Sequence, residues 1–281
     1  MSIPLMYKIH EVTIHHALYY LGPEGTFSYL AAKKYFSKDN FNFIPKSNLY
    51  EVIKAVNSDA QSVAIVPIEN SIEGTINIVA DALAQQHVFA HGEIHLDINF
   101  GLYATRDSKI ENIKKVYSIA PAISQTSQYI QKHQFSYDYV ESTIQGLEKI
   151  SSDVAAIVPV GSGEMYGYTA IENNIQDYPH NVTRFLVIKN DNNFESKTNN
   201  TILLITPKYD KAGLLASILT TFALFDINLS WIESRPLKTQ LGMYRFFVQA
   251  DTGLSDNLNK VISILETLDF SVKIIGAFHR Q

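Results

Sequence analysis

The chain has 281 residues, 46% of them hydrophobic, enough for proper cores and long enough for two domains or three compact units. A formal net charge of -5 gives no polyelectrolyte signature and disfavours nucleic acid as the main partner. The absence of cysteine removes disulfides, thiolate metal sites and cysteine nucleophiles, and suits a reducing compartment.

Residues 1–16 lack the apolar run and small-residue cleavage site of a signal sequence and read as an N-terminal extension. No apolar run approaches the roughly 18 residues a spanning helix needs, so no membrane and a cytoplasmic location are expected. The first strand is ALYYLG from Ala17, followed by GPEGTFS (22–28) and a helix over AAKKYF. Its glycines and hydroxyls stand at a helix N-terminus, a place for an anion or only a turn. The Gly-Lys-Ser/Thr of a nucleotide P-loop is missing.

A helix follows from the Asn48–Glu51 capping pair, and then the run Val63–Val66, closed by Pro67. An apolar run of that length is a strand buried on both faces, and the ENSIEGT beyond it falls at its carboxyl end, where α/β sheets hold ligands. Glu69 and Glu73 have the spacing of paired carboxylates, but Glu73 also fits the first turn of a helix, complementing its dipole. His87, His91 and His95 recur every four residues, yet Gly92 and the alternating EIHLDINF break the helix that would make them a metal face. The segment 142–159 echoes 47–67: Ser142 and Gln145 repeat the capping spacing, and a Val/Ala/Ile strand again ends in proline. Two similar α/β lobes facing one cleft would explain the echo. Beyond it, PHNVTRFLVI (179–188) puts Thr183 and Arg184 at the entry of an apolar strand.

Residues 191–200, rich in Asn and Ser, have linker composition. After them come a strand (TILLITP), a helix (210–226), two strands (227–236 and 243–251), a helix (257–269) and a last strand (270–278), a ferredoxin-like βαββαβ order.

GPEGTFS, PIENSIEGT, ESTIQGL and NVTRF together resemble prephenate dehydratase in order and spacing. The tail, with GLLASIL from Gly213 and ESRP from Glu233, resembles that family's regulatory ACT domain. The resemblance runs from about Leu18 onward. It implies a two-lobed, periplasmic-binding-protein-like catalytic domain over 17–190, a linker over 191–200 and a ferredoxin-like ACT domain over 201–281. The implied reaction turns prephenate into phenylpyruvate, losing water and carbon dioxide as the ring becomes aromatic, with no redox cofactor and no metal.

On the family pattern Thr183 assists departure of the ring hydroxyl, and Asn70 positions the substrate or that hydroxyl. Ser118 and Gln125 match a Tyr-Ser-His-Pro-Gln motif and the second Gln after it, although Ile119, Ala120 and Pro121 replace His-Pro-Gln and remove a histidine from any proton relay. Thr26, Ser28, Ser142 and Thr143 would hold the two substrate carboxylates. The role of Glu69 stays open, Arg184 either pairs with a carboxylate or anchors a neighbouring acid, and Phe185 completes the TRF motif. The resemblance places L-phenylalanine, as effector, at Gly213, Leu214 and Leu215, at Asn228, Leu229 and Ser230, and at Glu233, Ser234, Arg235 and Pro236. A homodimer or homotetramer is expected. Arogenate dehydratase and a non-catalytic two-lobed sensor are the rival readings, and no chorismate mutase segment is expected before the dehydratase half.

Overall fold

The computed structural model describes residues 16–37, 41–237 and 242–280. The expected N-terminal extension lies outside them except for His16, which already belongs to the first strand.

The first lobe opens with β1 (His16–Leu21), α1 (Phe27–Tyr35), β2 (Phe41–Lys46), α2 (Leu49–Asn57) and β3 (Val63–Asn70). Both helices start where a polar side chain accepts an otherwise unpaired backbone N–H: Thr26 from Tyr29 at 3.4 Å and Asn48 from Glu51 at 2.9 Å. Such caps stabilise by about 1 kcal/mol each. Pro67 does not end β3, as the sequence suggested. Pairing to β1 stops at Ile65, and the register with the antiparallel neighbour shifts beside Pro67, so its missing N–H costs no ladder bond. The strand therefore continues and carries Glu69 and Asn70.

After β4 (Gly74–Thr75), α3 (Asn77–Gln85) and β5 (Phe89–Asp97), the chain crosses to a second lobe. That lobe consists of β6 (Phe100–Ala104), β7 (Lys115–Ser118), α4 (Ala120–Gln125), α5 (Ser127–His133), β8 (Ser136–Tyr139), a 3-10 turn (Ile144–Lys149), β9 (Val154–Pro159) and β10 (Thr169–Asn173). The chain then returns as β11 (Val182–Lys189), inserted antiparallel between β3 and β5.

The echo is a repeat of topology. In the first lobe the order is β11-β3-β1-β2; in the second it is β6-β9-β7-β8, each time three parallel strands closed by one antiparallel strand. One unit departs from the expectation, since the helix expected after Ser142 is a 3-10 turn. Gly146 lies against β7, where an added Cβ would come 3.0 Å from the Tyr117 carbonyl oxygen, so the turn is pressed onto the sheet too closely for an ordinary helix with side chains there.

The C-terminal unit is β12 (Asn200–Pro207), α6 (Leu214–Ala223), β13 (Leu229–Pro236), β14 (Tyr244–Ala250), α7 (Asp256–Thr267) and β15 (Phe270–Phe278), the expected βαββαβ order, with strand sequence β13-β14-β12-β15. Its first strand starts at Asn200, inside the expected linker. Gly213 does not sit in the first turn of α6 but caps it, with φ at 84°, a left-handed conformation that glycine adopts without penalty.

The C-terminal unit is not appended loosely. β15 pairs with β5 at Gly276 and Ala90, so its sheet and that of the first lobe run together as one ten-stranded sheet. One face of its strands packs on α6 and α7 through Leu203, Ile218, Phe222, Leu258 and Leu265. The other shares a core with α2 and α3, where Trp231, Phe247, Ile202 and Leu204 meet Val52, Ile53, Val79 and Leu83. The second lobe keeps its own cluster around Leu102, Val116, Ile123 and Ile157.

Candidate active site

The carboxyl ends of β1, β2 and β3 and those of β7, β8 and β9 open on the gap between the lobes. A cavity of about 640 Å³ lies there, lined by Gly22, Thr26, Ser28 and Lys46 on one side and by Ile119, Ser142, Thr143, Ile144 and Tyr166 on the other. The lobes touch across it through Ser162 Oγ, which donates to the Gly25 carbonyl at 2.6 Å, and the Tyr166 hydroxyl, which donates to the Glu24 carbonyl at 2.8 Å.

The four expected hydroxyls divide into two kinds. Thr26 donates to Leu21 and Pro23 carbonyls while capping α1, and Ser142 accepts from Gln145 N at 3.1 Å; both are occupied in shaping their loops. Ser28 and Thr143 are buried and line the cavity, and their hydroxyls have no protein partner among the described residues. Lys46, unremarked in the sequence, is the one cation among the lining residues. Its position at the end of β2 was a readable signal, by the same carboxyl-end rule that singled out Asn70.

Thr183 and Asn70 do not line that cavity; they face each other on adjoining strands at the same edge of the sheet. Asn70 Nδ2 donates to Thr183 Oγ1 at 2.9 Å and to Asn181 Oδ1 at 2.8 Å, while Asn70 Oδ1 accepts from the backbone N–H groups of Ile72 and Glu73, both at 2.9 Å. Those two backbone donors fix which end of the amide is oxygen. Thr183 Oγ1 thus receives a hydrogen bond, and among the described residues nothing accepts its own proton. Asn181 Nδ2 donates to Gln125 Oε1 at 2.6 Å, and Gln125 Nε2 donates to Glu73 Oε1 at 3.1 Å. Glu73 is therefore not in a helix's first turn, as expected from its spacing: α3 begins only at Asn77, and the carboxylate binds the opposite lobe.

The remaining candidates lie off the cleft. Ser118, fully buried, donates to the Ile157 carbonyl on β9 at 2.6 Å. Phe185 is packed in the core among Leu18, Tyr20 and Ile65. Arg184 points to the other face of β11, where it meets the C-terminal unit. Its Nη1 donates to Gln249 Oε1 at 2.7 Å, Glu69 and Glu93 oxygens lie at 3.6 and 3.8 Å, and its Cζ sits 4.7 Å from the Trp231 ring centroid. The anchoring alternative describes this geometry, and it gives Glu69 an ion-pair partner. Burial pulls the Arg184 guanidinium down from its usual range, with Glu93 and then Glu69 opposing.

In the tail, a second pocket of about 360 Å³ lies beside the start of α6, lined by Leu214, Leu215, Ser234, Lys211 and Tyr244 among others. Alternation along β13 splits the ESRP stretch. Ser234 faces that pocket, whereas Glu233 accepts from Thr75 Oγ1 at 2.8 Å and Arg235 forks onto the Asp81 carboxylate at 3.2 and 3.3 Å, both on the first lobe. Gly213 caps the helix beside the pocket without lining it, as do Leu229, Ser230 and Pro236 on the strand, and Asn228 donates to Asp251 Oδ2 at 2.5 Å. Among the described residues no group of three metal-ligating side chains comes together. His91 and His95 lie on β5, and His91 Nε2 is 2.9 Å from the Asp191 carbonyl oxygen.

A family model described as prephenate dehydratase matches residues 18–193. The prephenate dehydratase of Methanocaldococcus jannaschii is 32% identical over 94% of this chain and 98% of its own. The crystal structure of the prephenate dehydratase from Staphylococcus aureus subsp. aureus Mu50 is 69% identical, covering 94% of this chain and 100% of that one, with a TM-score of 0.88. That of Arthrobacter aurescens, solved in complex with L-Phe, is 28% identical with a TM-score of 0.83, covering 94% of this chain and 90% of that one. With the cleft between two topologically repeated lobes and the TRF and PIEN stretches meeting at its edge, the chain belongs to the prephenate dehydratase family.

Proposed function

We propose that this chain converts prephenate to phenylpyruvate in the cytoplasm, in the synthesis of L-phenylalanine, and that L-phenylalanine bound to the C-terminal ACT unit regulates it. The observation that carries the chemistry is the pairing of Asn70 with Thr183. By donating to Thr183 Oγ1, Asn70 leaves the hydroxyl proton free to point outward as a donor. The step needs a donor where charge develops on the departing ring hydroxyl, while loss of carbon dioxide delivers the electron pair that completes the aromatic ring. A threonine hydroxyl is a poor acid, so it polarises the leaving group by hydrogen bonding rather than by full proton transfer.

For the two carboxylates we assign the cavity side of the cleft: the free Ser28 and Thr143 hydroxyls, the N-terminus of α1 and the Lys46 ammonium. The effector we assign to the pocket of Leu214, Leu215 and Ser234, completed across a pair of C-terminal units by Asn228 to Ser230 of a second copy, so that the working enzyme is at least a dimer. Light scattering of the purified chain checks that assembly. The function is tested by mixing the protein with prephenate and, separately, arogenate at neutral pH. Phenylpyruvate absorbance from prephenate is expected, suppressed or altered by L-phenylalanine. Turnover of arogenate alone would move the assignment to its amino-acid analogue, and turnover of neither would leave a sensor.

A further inference from the structure

We propose that Asn181 and Glu73 are positioning residues of the reaction: with Gln125 they form a one-way hydrogen-bond chain that clamps the Asn70 amide across the two lobes and keeps the Thr183 proton aimed into the cleft. This rests on the reading of Thr183 and Asn70 given above. The direction of the chain is dictated independently from both ends. At one end the Glu73 carboxylate only accepts, so Gln125 must present Nε2 to it and Oε1 to Asn181. At the other, two backbone N–H groups claim Asn70 Oδ1, so Nδ2 must face Asn181 and Thr183. Asn181, between the two amides, accepts from Asn70 and donates to Gln125, and so satisfies both neighbours at once.

Burial makes these contacts costly to leave unmade: Asn181, Gln125 and Asn70 are 2%, 4% and 7% exposed. Gln125 belongs to the second lobe and the other four groups to the first, so the chain is complete only while the lobes are together. Lobe closure thereby completes the restraint on the Asn70 amide, adding the Gln125 links to those its own lobe already makes. The arrangement also needs no histidine, which accords with Ile119, Ala120 and Pro121 standing where the family pattern has His-Pro-Gln.

The test is a compensation experiment. In Asn181→Asp the residue can still accept from Asn70 but cannot donate to Gln125; if Gln125 turns over, its oxygen meets the Glu73 carboxylate. The variant should lose about tenfold or more in kcat with KM within about threefold of wild type. Adding Glu73→Gln supplies a donor to the reversed Gln125 and should return kcat to within about threefold of Glu73→Gln alone, whereas Glu73→Ala, which removes the charge without supplying a donor, should not rescue. Multiplicative single and double effects, equal rescue by Ala and Gln, or a near-normal kcat in Asn181→Asp overturn the proposal. Thr183→Ala is measured alongside: if it is damaged and Asn181→Asp is not, the clamp fails and the catalytic reading stands, and if Thr183→Ala is undamaged both fall. Should Asn181→Asp not fold, the Glu73→Gln/Asn181→Asp pair decides, a folded active enzyme supporting the clamp and a folded inactive one refuting it.

Discussion

The first lobe meets its two neighbours in opposite ways. Toward the C-terminal unit it shares a sheet and an apolar core, with Trp231 and Phe247 rings 5.9 Å apart against helices of the lobe. Toward the second lobe it makes hydrogen bonds with Gln125, Ser162 and Tyr166, beside a smaller apolar contact in which Phe27 and Leu96 pack on that lobe's cluster and the Phe27 and Phe100 rings meet edge to face. Apolar burial is non-directional and is lost only by exposing area to water. A hydrogen bond is directional and can be exchanged for one to solvent at a net cost of about 1 kcal/mol. By that measure the junction with the C-terminal unit is the harder of the two to part.

The largest expected effect tests that junction. Trp231→Ala removes a ring that is 6% exposed and should cost about 3–5 kcal/mol in denaturant unfolding while leaving a single transition. Two separate transitions, or a loss under about 1 kcal/mol, would show that the C-terminal unit folds on its own. Next comes Thr183→Ala, on the closing side, where kcat should drop on the order of 10²-fold with a smaller change in KM and little loss of stability. A folded variant with near-normal kcat removes Thr183 from the chemistry.

A smaller effect is expected from Ser162→Ala, which takes away one lobe-to-lobe bond and leaves the Gly25 carbonyl unpaired. Stability should fall by about 1 kcal/mol, and KM should rise more than kcat falls. The reverse split would mean that this contact serves the reaction rather than closure. The smallest concerns pH. Burial lowers the His91 pKa, outweighing the Asp191 carbonyl and carboxylate that pull it up. The folded protein therefore holds fewer protons than the unfolded chain once pH falls below the ordinary histidine value of about 6.5, and stability drops through that window toward the folded pKa. Denaturation midpoints at pH 7.5 and 5.5, a range about one unit either side, should differ less in His91→Gln than in wild type; an equal difference assigns the loss to other groups.

Local patterns were legible wherever one segment decides its own structure. The six C-terminal elements followed from period and punctuation, and the Asn48 cap from spacing, whereas the same spacing at Ser142 gave the bond to Gln145 N but a 3-10 turn rather than the expected helix. Pro67 misled because the breaker is neutralised by a bulge in its own strand at Ile68, which exists only against β11, more than a hundred residues away. Glu73 misled for the same reason, its partner Gln125 being invisible to any local rule. Glu233 and Arg235 could have been separated from Ser234 by strand alternation alone, but which face meets the first lobe depends on tertiary contacts. Gly213 shows the converse, since a built Cβ there meets nothing within 4 Å and only the backbone angle demands glycine.

The pairing of β15 with β5 has a consequence for self-association. A strand at the rim of a sheet offers unpaired N–H and C=O groups that recruit other chains. β5 would be such a rim if the polypeptide stopped at residue 193, where the family match ends, and the apolar flank of α2 and α3 would be bared beside it. The C-terminal unit is thus also a cover, moving the rim to β13, where Glu233 and Arg235 are bonded inward and Pro236 offers no donor. Proteolysis between residues 193 and 200 would then yield aggregation before it yielded a free two-lobed fragment.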